Sequence, residues 1–171
     1  MIIFEPKERY SAALIGAGRI GLLLESDAKR RKPATHAGMW AHHGRFDLAA
    51  VCDSEEGRFD AARAVAPNVA CYTDAAEMLS AVKPDVVSIA TWRDSHHAMM
   101  KLALDHGVPA IICEKPIAER REDAAEVVDE AARRGVHLLI NHRRRFDPLL
   151  YPFRDDLAKG IIGDLLQVNA F

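Results

Sequence analysis

Cysteine is scarce in this chain, and the three present, Cys52, Cys71 and Cys113, stand far apart. None falls in a C-x-x-C pair, so neither a disulfide scaffold nor a zinc or redox pair is indicated, and a reducing compartment is expected. An excess of either charge is also missing. The 23 Lys+Arg against 25 Asp+Glu leave a formal charge of -2, which removes the usual driving force for nucleic-acid or membrane-surface binding. No apolar run approaches the ~18 residues that span a bilayer, and Glu5, Lys7, Glu8 and Arg9 interrupt any signal-peptide core. A cytoplasmic protein with a small-molecule partner is the expectation. What is present is 171 residues, 49% hydrophobic and 28% charged, enough for one domain with a substantial core.

Short β-favouring apolar runs recur at Ala12–Ile15, Leu48–Cys52, Val86–Ala90, Ala110–Cys113 and His137–Ile140, each bounded by Gly, Pro, Asp or Asn. Their unbroken apolar character predicts buried parallel strands. Helix-period segments lie between them. Ala124, Val127, Val128 and Ala131 share one face of a helix that Gly135 ends at its C′ position. A second helix opens at Asp74, with Glu77 completing a capping box and Lys83-Pro84 stopping it. Its Ala75, Ala76, Leu79 and Val82 are expected against the sheet. The alternation predicts an α/β fold, a doubly wound parallel sheet. Ser26–Thr35, with Lys29-Arg30-Arg31-Lys32 and Pro33, reads as an exposed insertion. After Asp147-Pro148 the pattern changes to a short helical segment, Leu149–Lys159, and a strand-like Leu165–Phe171.

Directly after the first strand stands Gly16-Ala17-Gly18-Arg19-Ile20-Gly21, a G-x-G-x-x-G that opens a helical segment. The first glycine allows a tight turn, the second lets a pyrophosphate approach the backbone, and the third allows close helix-on-strand packing. The helix N-terminus offers free N–H groups and a positive dipole to the phosphates. Asp53, at the end of the second run, is placed to accept hydrogen bonds from the adenosine ribose and to repel a 2′-phosphate, favouring NAD over NADP. The same aspartate could instead cap the next helix. It lies about thirty residues beyond Gly21 rather than the usual ~20, a discrepancy the Ser26–Thr35 insertion can absorb. Lys29–Lys32 and Arg58 are cations that could neutralise a 2′-phosphate if they fold back.

Further along, Cys113-Glu114-Lys115-Pro116, Thr91…His96 and Asn141…Arg145-Phe146-Asp147-Pro148 accompany the glycine turn. With these motifs the chain resembles the Gfo/Idh/MocA oxidoreductases over essentially its whole length. The resemblance implies an NAD(P)-binding Rossmann domain over 1–148, with 149–171 the linker helix and first strand of a second, sheet-rich domain, only the beginning of which is expected here. It implies that Thr91 and Trp92 border the nicotinamide-side ribose, tryptophan standing where the family has proline, and that His96 is the histidine of that loop. It implies that Glu114, Lys115 and Pro116 form the E-K-P, with a proline that is cis in many members. Lys115 would then contact nicotinamide ribose and substrate hydroxyl and act as the catalytic proton donor or acceptor. Asn141 corresponds to the asparagine after the last strand. Sugars, inositols and related polyols are the implied substrates.

The residues support Lys115 independently, because the carboxyl edge of an open parallel sheet is where such proteins bind ligands, and partial desolvation there would lower its pKa. The alternative from a different class is a catalytically incomplete dinucleotide-binding or accessory domain that needs a partner chain or a further domain. An unpaired apolar strand over Leu165–Phe171 would invite a second copy or a partner. His42-His43 and His96-His97 are adjacent pairs, poor joint metal ligands, and no metal site is expected. Arg143-Arg144-Arg145 reads as a solvated turn and Cys113 as a small core residue.

Overall fold

The computed structural model describes residues 6–169, and the chain divides between Asn141 and His142 into two units. The first is built on six strands: β1 (Tyr10–Ile15), β2 (Phe46–Cys52), β3 (Ala70–Tyr72), β4 (Val86–Ile89), β5 (Ala110–Glu114) and β6 (His137–Asn141). All pairings are parallel, in the order β3-β2-β1-β4-β5-β6. The order reverses between β1 and β4, and the carboxyl ends of those two strands flank the crevice where doubly wound sheets hold ligands.

Alternate β1 residues serve opposite faces. Ala12 and Leu14 join a core with Ala37, Trp40 and Ala62, carried on α1 (His36–His42) and α2 (Phe59–Val65). Ala13 and Ile15 join another with Met78, Leu79, Met100, Leu104, Val127 and Ala131, carried on α3 (Ala75–Val82), α4 (His96–Asp105) and α5 (Arg121–Arg134). Burial on both faces explains the unbroken apolar runs. β3 went unread because it has three residues, too few to show a period, and sits at the sheet edge.

α3 begins as expected, with the Asp74 carboxylate accepting the Glu77 N–H at 2.7 Å, and ends at Lys83 with φ 47°. Met78 joins Leu79 in the core. α5 ends at Gly135 in the left-handed region. Val128 is a correction: it is 46% exposed. At 100° per residue it turns away from the stripe of Val127 and Ala131. Buried Glu130 lies beside Ala131 instead, paired with Lys101 and Arg134.

The segment after the glycine turn is not one helix. The chain makes a single turn, with Leu22 N–H bonded to Gly18 O, then a 3₁₀ turn over Leu23–Ser26 and a loop to Thr35. In an uninterrupted helix the N–H groups of Leu24 and Glu25 would bond Ile20 O and Gly21 O. Here His36 N–H reaches Ile20 O at 3.1 Å and Ala37 N–H reaches Gly21 O at 2.9 Å. α1 therefore resumes the same helix after a splice of twelve residues. Without those twelve, the 32 residues from Gly21 to Asp53 become twenty, the ordinary separation. Glu25 closes the splice by accepting from Ala34 N–H (2.9 Å) and the Thr35 hydroxyl (2.7 Å), while Thr35 caps α1 through Gly38 N–H at 3.0 Å.

The second unit holds two 3₁₀ turns, Arg143–Phe146 and Pro148–Leu150, and α6 (Tyr151–Ala158), with Asp147 capping Leu149 N–H at 3.0 Å. The strand expected over Leu165–Phe171 is corrected for the described part: residues 165–169 are irregular. Apolar residues alone do not make a strand, which needs a partner for its backbone hydrogen bonds. Ala170 and Phe171 lie outside the described residues.

Candidate functional site

β1 delivers the glycine turn to the reversal point, and each glycine meets a different constraint. Gly16 has φ 93°, and a Cβ there would lie 2.7 Å from the Ala90 carbonyl carbon and the Thr91 nitrogen. A Cβ on Gly21 would lie 1.9 Å from Gly16 O, whereas one on Gly18 would meet only Arg58 Nη1 at 3.9 Å. So Gly16 makes the tight turn, Gly21 lets helix and strand touch, and Gly18 keeps open space above the backbone. The N–H groups of Gly18, Arg19, Ile20 and Gly21 donate to no group among the described residues. Open space lined by free donors at a helix start fits a pyrophosphate.

Asp53 is 7% exposed. Its Oδ2 accepts Ala17 N–H at 2.7 Å and Arg58 Nη1 at 2.8 Å, and its Oδ1 accepts Glu55 N–H at 2.9 Å. The capping reading holds, since Asp53 caps the turn that follows, and the residue also braces the glycine turn; Oδ1 retains a lone pair for a hydroxyl. The cation beside it is Arg58. Lys32 bonds Leu24 O and Asp27 O at 3.0 Å, and Arg30 pairs with Asp27 at 3.3 Å, so these two members of the basic run are engaged within the insertion.

On the other side of the turn a cleft of about 540 Å³ is lined by Ile20, by Thr91, Trp92, Arg93, Asp94 and His96 after β4, and by Glu114, Lys115, Pro116 and Glu119 after β5. Ser95 Oγ braces the first wall, its O–H donating to Trp92 O at 2.8 Å while the oxygen lies 2.7 Å from Thr91 Oγ1. His96 is buried and joins the walls, Nδ1 lying 2.6 Å from Pro116 O and Nε2 3.2 Å from Thr91 O. Arg93 Nε–H donates to Glu119 Oε1 at 3.0 Å at the rim. The Lys115–Pro116 bond is cis, as in many of the proteins the chain resembles. Lys115 is exposed, so the partial desolvation expected of it is not present. Asn141, opposite Glu114 in the β5–β6 register, donates to Glu114 Oε1 at 2.7 Å. Arg19 is exposed on the turn and is not on the cleft wall.

Glu114 is held from a second side by a residue the sequence reading did not single out. His36 Nε2 lies 3.0 Å from the same Oε1. Burial pushes the Glu114 carboxyl up, but the bonds from His36 and Asn141 outweigh it and keep it below the usual carboxylate range. Burial pushes the Cys113 thiol up to about 12 and the Cys52 thiol up to about 11, so neither is a nucleophile. A recess of about 310 Å³ at the amino ends of the strands, lined mostly by apolar groups such as Tyr10, Trp40, Phe46 and Ile112, offers little for phosphate or hydride chemistry.

A parallel sheet in the 3-2-1-4-5-6 order, with a glycine turn of free donors at its reversal point, defines a dinucleotide-binding domain of the Rossmann type. Residues 10–142 match the Gfo/Idh/MocA model, an oxidoreductase family with an NAD-binding Rossmann fold, and the chain belongs to that family. The D-apiose dehydrogenase of Paraburkholderia graminis is 33% identical over 156 residues, which are 91% of this chain and 38% of that protein. The D-glucoside 3-dehydrogenase of Escherichia coli is 30% identical over 158 residues, 92% of this chain and 42% of that protein. The crystal structure of an oxidoreductase from Agrobacterium radiobacter in complex with NAD+, L-tartaric acid and magnesium superposes with a TM-score of 0.74 at 28% identity, covering 91% of this chain and 42% of that one. The chain thus spans less than half the length of these relatives. Among the described residues no helix is long and apolar enough to cross a membrane.

Proposed function

We propose that this chain is the NAD-binding part of a dehydrogenase that moves a hydride between the nicotinamide and a carbinol carbon of a sugar, inositol or related polyol. The observation that carries the reading is the meeting, at one reversal point, of a glycine turn with free donors and a cleft bearing Lys115. The sugar dehydrogenases among its relatives support the substrate class.

NAD, when bound, supplies the hydride acceptor. The chain's own residues hold and orient it. Gly16, Gly18, Arg19, Ile20 and Gly21 receive the pyrophosphate, and Asp53 Oδ1 receives a ribose hydroxyl. Thr91, Trp92, His96, Glu114, Pro116 and Asn141 shape the nicotinamide end. As the hydride leaves the carbinol carbon, the Lys115 amine accepts the proton of the substrate hydroxyl, and in the reverse direction the resulting ammonium returns it to the carbonyl oxygen, a contribution of ~10²–10⁴-fold for a positioned acid or base. The charge of Asp53 favours NAD, and Arg58 moderates that preference because it already lies on the carboxylate. Residues 149–171 fit the approach to a second domain, and the exposed Leu165, Leu166 and Val168 suit pairing with a second copy. The three free cysteines suit the cytoplasm.

NADH absorbance during incubation with NAD and a panel of aldoses, inositols and alditols tests the reading. Lys115→Met is expected to retain NADH binding and to lose ~100-fold or more in kcat. A variant oxidising the same polyol at the unmodified rate, or an unmodified protein that binds no NADH, would overturn the assignment.

A further inference from the structure

Glu114 stands at the end of a buried polar chain that runs beneath α1 on one face of the sheet. Trp40 Nε1–H donates to Ser88 Oγ at 2.9 Å, Ser88 Oγ lies 3.1 Å from His36 Nδ1, and His36 Nε2 lies 3.0 Å from Glu114 Oε1. Trp40 is 5% exposed, Ser88 0% and His36 4%. The two ends set the direction of every proton between them. An indole N–H only donates and a carboxylate only accepts. Oε1 therefore requires the hydrogen on His36 Nε2, and with the single ring proton placed there Nδ1 accepts the Ser88 hydroxyl proton. Ser88 has the free lone pair that Trp40 needs. All hydrogen bonds run one way, toward the carboxylate.

This histidine is delivered by the splice. His36 is the first residue of α1, fixed by its own N–H on Ile20 O and by the Thr35 cap, so the helix that resumes after the insertion begins by placing an imidazole against the cleft wall. With Asn141 donating to the same oxygen, Oε1 is held from two sides and the carboxylate plane cannot turn.

We propose that His36 is a positioning residue: through a directed Trp40–Ser88–His36 relay it fixes the Glu114 carboxylate in the cleft wall that also carries Lys115 and so sets the nicotinamide end of the site. The proposal rests on the reading that nicotinamide binds against Lys115. Glu114 and Lys115 line the same cleft, and a carboxylate held at one point keeps its negative charge at a fixed place on the wall that the nicotinamide end meets, which a freely turning carboxylate would not.

The test has two arms. In the unmodified protein without ligand, the long-range ¹H–¹⁵N spectrum of the imidazoles should show His36 as the Nε2–H tautomer; an Nδ1–H ring would overturn the relay. In the second arm NADH and ADP-ribose, which lacks nicotinamide, are titrated into the unmodified, His36→Leu and His36→Gln proteins. His36→Leu is expected to weaken NADH about tenfold, the scale of a hydrogen bond to a charged group, with ADP-ribose within about threefold of the unmodified protein. His36→Gln, whose amide can still donate to Oε1, should recover most of the loss. Equal weakening of both ligands, no weakening by leucine, or no recovery by glutamine would reduce His36 to a packing residue and overturn the proposal. If His36→Leu does not fold, the glutamine variant and the tautomer decide. An unmodified protein that binds neither ligand refutes the NAD reading, and the tautomer still judges the relay.

Discussion

Replacing Gly21 with alanine probes the contact on which the dinucleotide turn depends. The new Cβ would sit 1.9 Å from Gly16 O and 3.1 Å from Gly16 C, where carbon contacts ordinarily settle near 3.5–4.0 Å. The obstacle is backbone on both sides. Gly16 cannot retreat, because its own Cα faces the Ala90–Thr91 peptide closely enough that a Cβ there would be at 2.7 Å. Gly21 cannot retreat freely either, because its carbonyl carries the Ala37 N–H that joins α1 to the turn. Overpacking of this kind costs about 1–3 kcal/mol, and rigid backbone on both sides places Gly21→Ala at the upper end. At roughly 2–4 °C per kcal/mol for a chain of this size, Tm should fall by about 6–12 °C in far-UV circular dichroism. Gly18→Ala, whose Cβ meets nothing closer than 3.9 Å, should melt within about 2 °C of the unmodified protein. If Gly21→Ala also melts within that margin, the close helix-on-strand contact is not what the third glycine provides.

Asp53→Ser should narrow the difference between NAD and NADP affinities, and Arg58→Ala should widen it in favour of NAD; calorimetry with both cofactors reads the two changes, and movement in the opposite direction by either variant contradicts the ribose assignment. In native protein an aromatic disulfide reagent should titrate at most Cys71, since Cys52 and Cys113 are buried with thiols raised to about 11 and 12, and all three should react in urea; rapid reaction of more than one native thiol would show a core looser than described. Burial raises the carboxyls of Glu25, Asp85 and Glu114, but hydrogen bonds from Thr35, from Lys7 and from His36 outweigh it and leave each below its ordinary value. Groups depressed in the folded state stabilise it above the unfolded carboxylate range and lose that contribution as pH falls through the folded values, so the urea midpoint should hold from neutrality to about pH 5 and decline below about pH 4. A midpoint still level at about pH 3 would contradict those bonds.

Much of the site was legible because it follows local rules. The glycine spacing, Asp74 as a cap and Gly135 as a terminator each depend on a few neighbouring residues, and the structure bears them out. What escaped depends on contacts across the sheet. Nothing near His36 marks it, since its partners Ser88 and Glu114 lie 52 and 78 residues away, and its place beside Glu114 follows from a splice whose register only hydrogen bonds reveal. Arg93 and Glu119 become a rim pair only when the loops after β4 and β5 come together. Val128 misled because an apolar side chain one position from the stripe is written with the same letter as one within it. The tail over 165–169 misled because apolar composition was read as a strand without a partner to pair it.

The central claim, that the glycine turn holds a dinucleotide, is tested most directly by titrating NADH into the unmodified protein and into Gly18→Val, following nicotinamide fluorescence. The account predicts saturable binding to the unmodified protein and at least a tenfold loss, about 1.4 kcal/mol, in Gly18→Val, with its Tm within about 2 °C of the unmodified protein, because valine at position 18 fills the space left for the pyrophosphate without touching the core. Equal NADH affinity in the two proteins would remove the turn from the site and contradict the account.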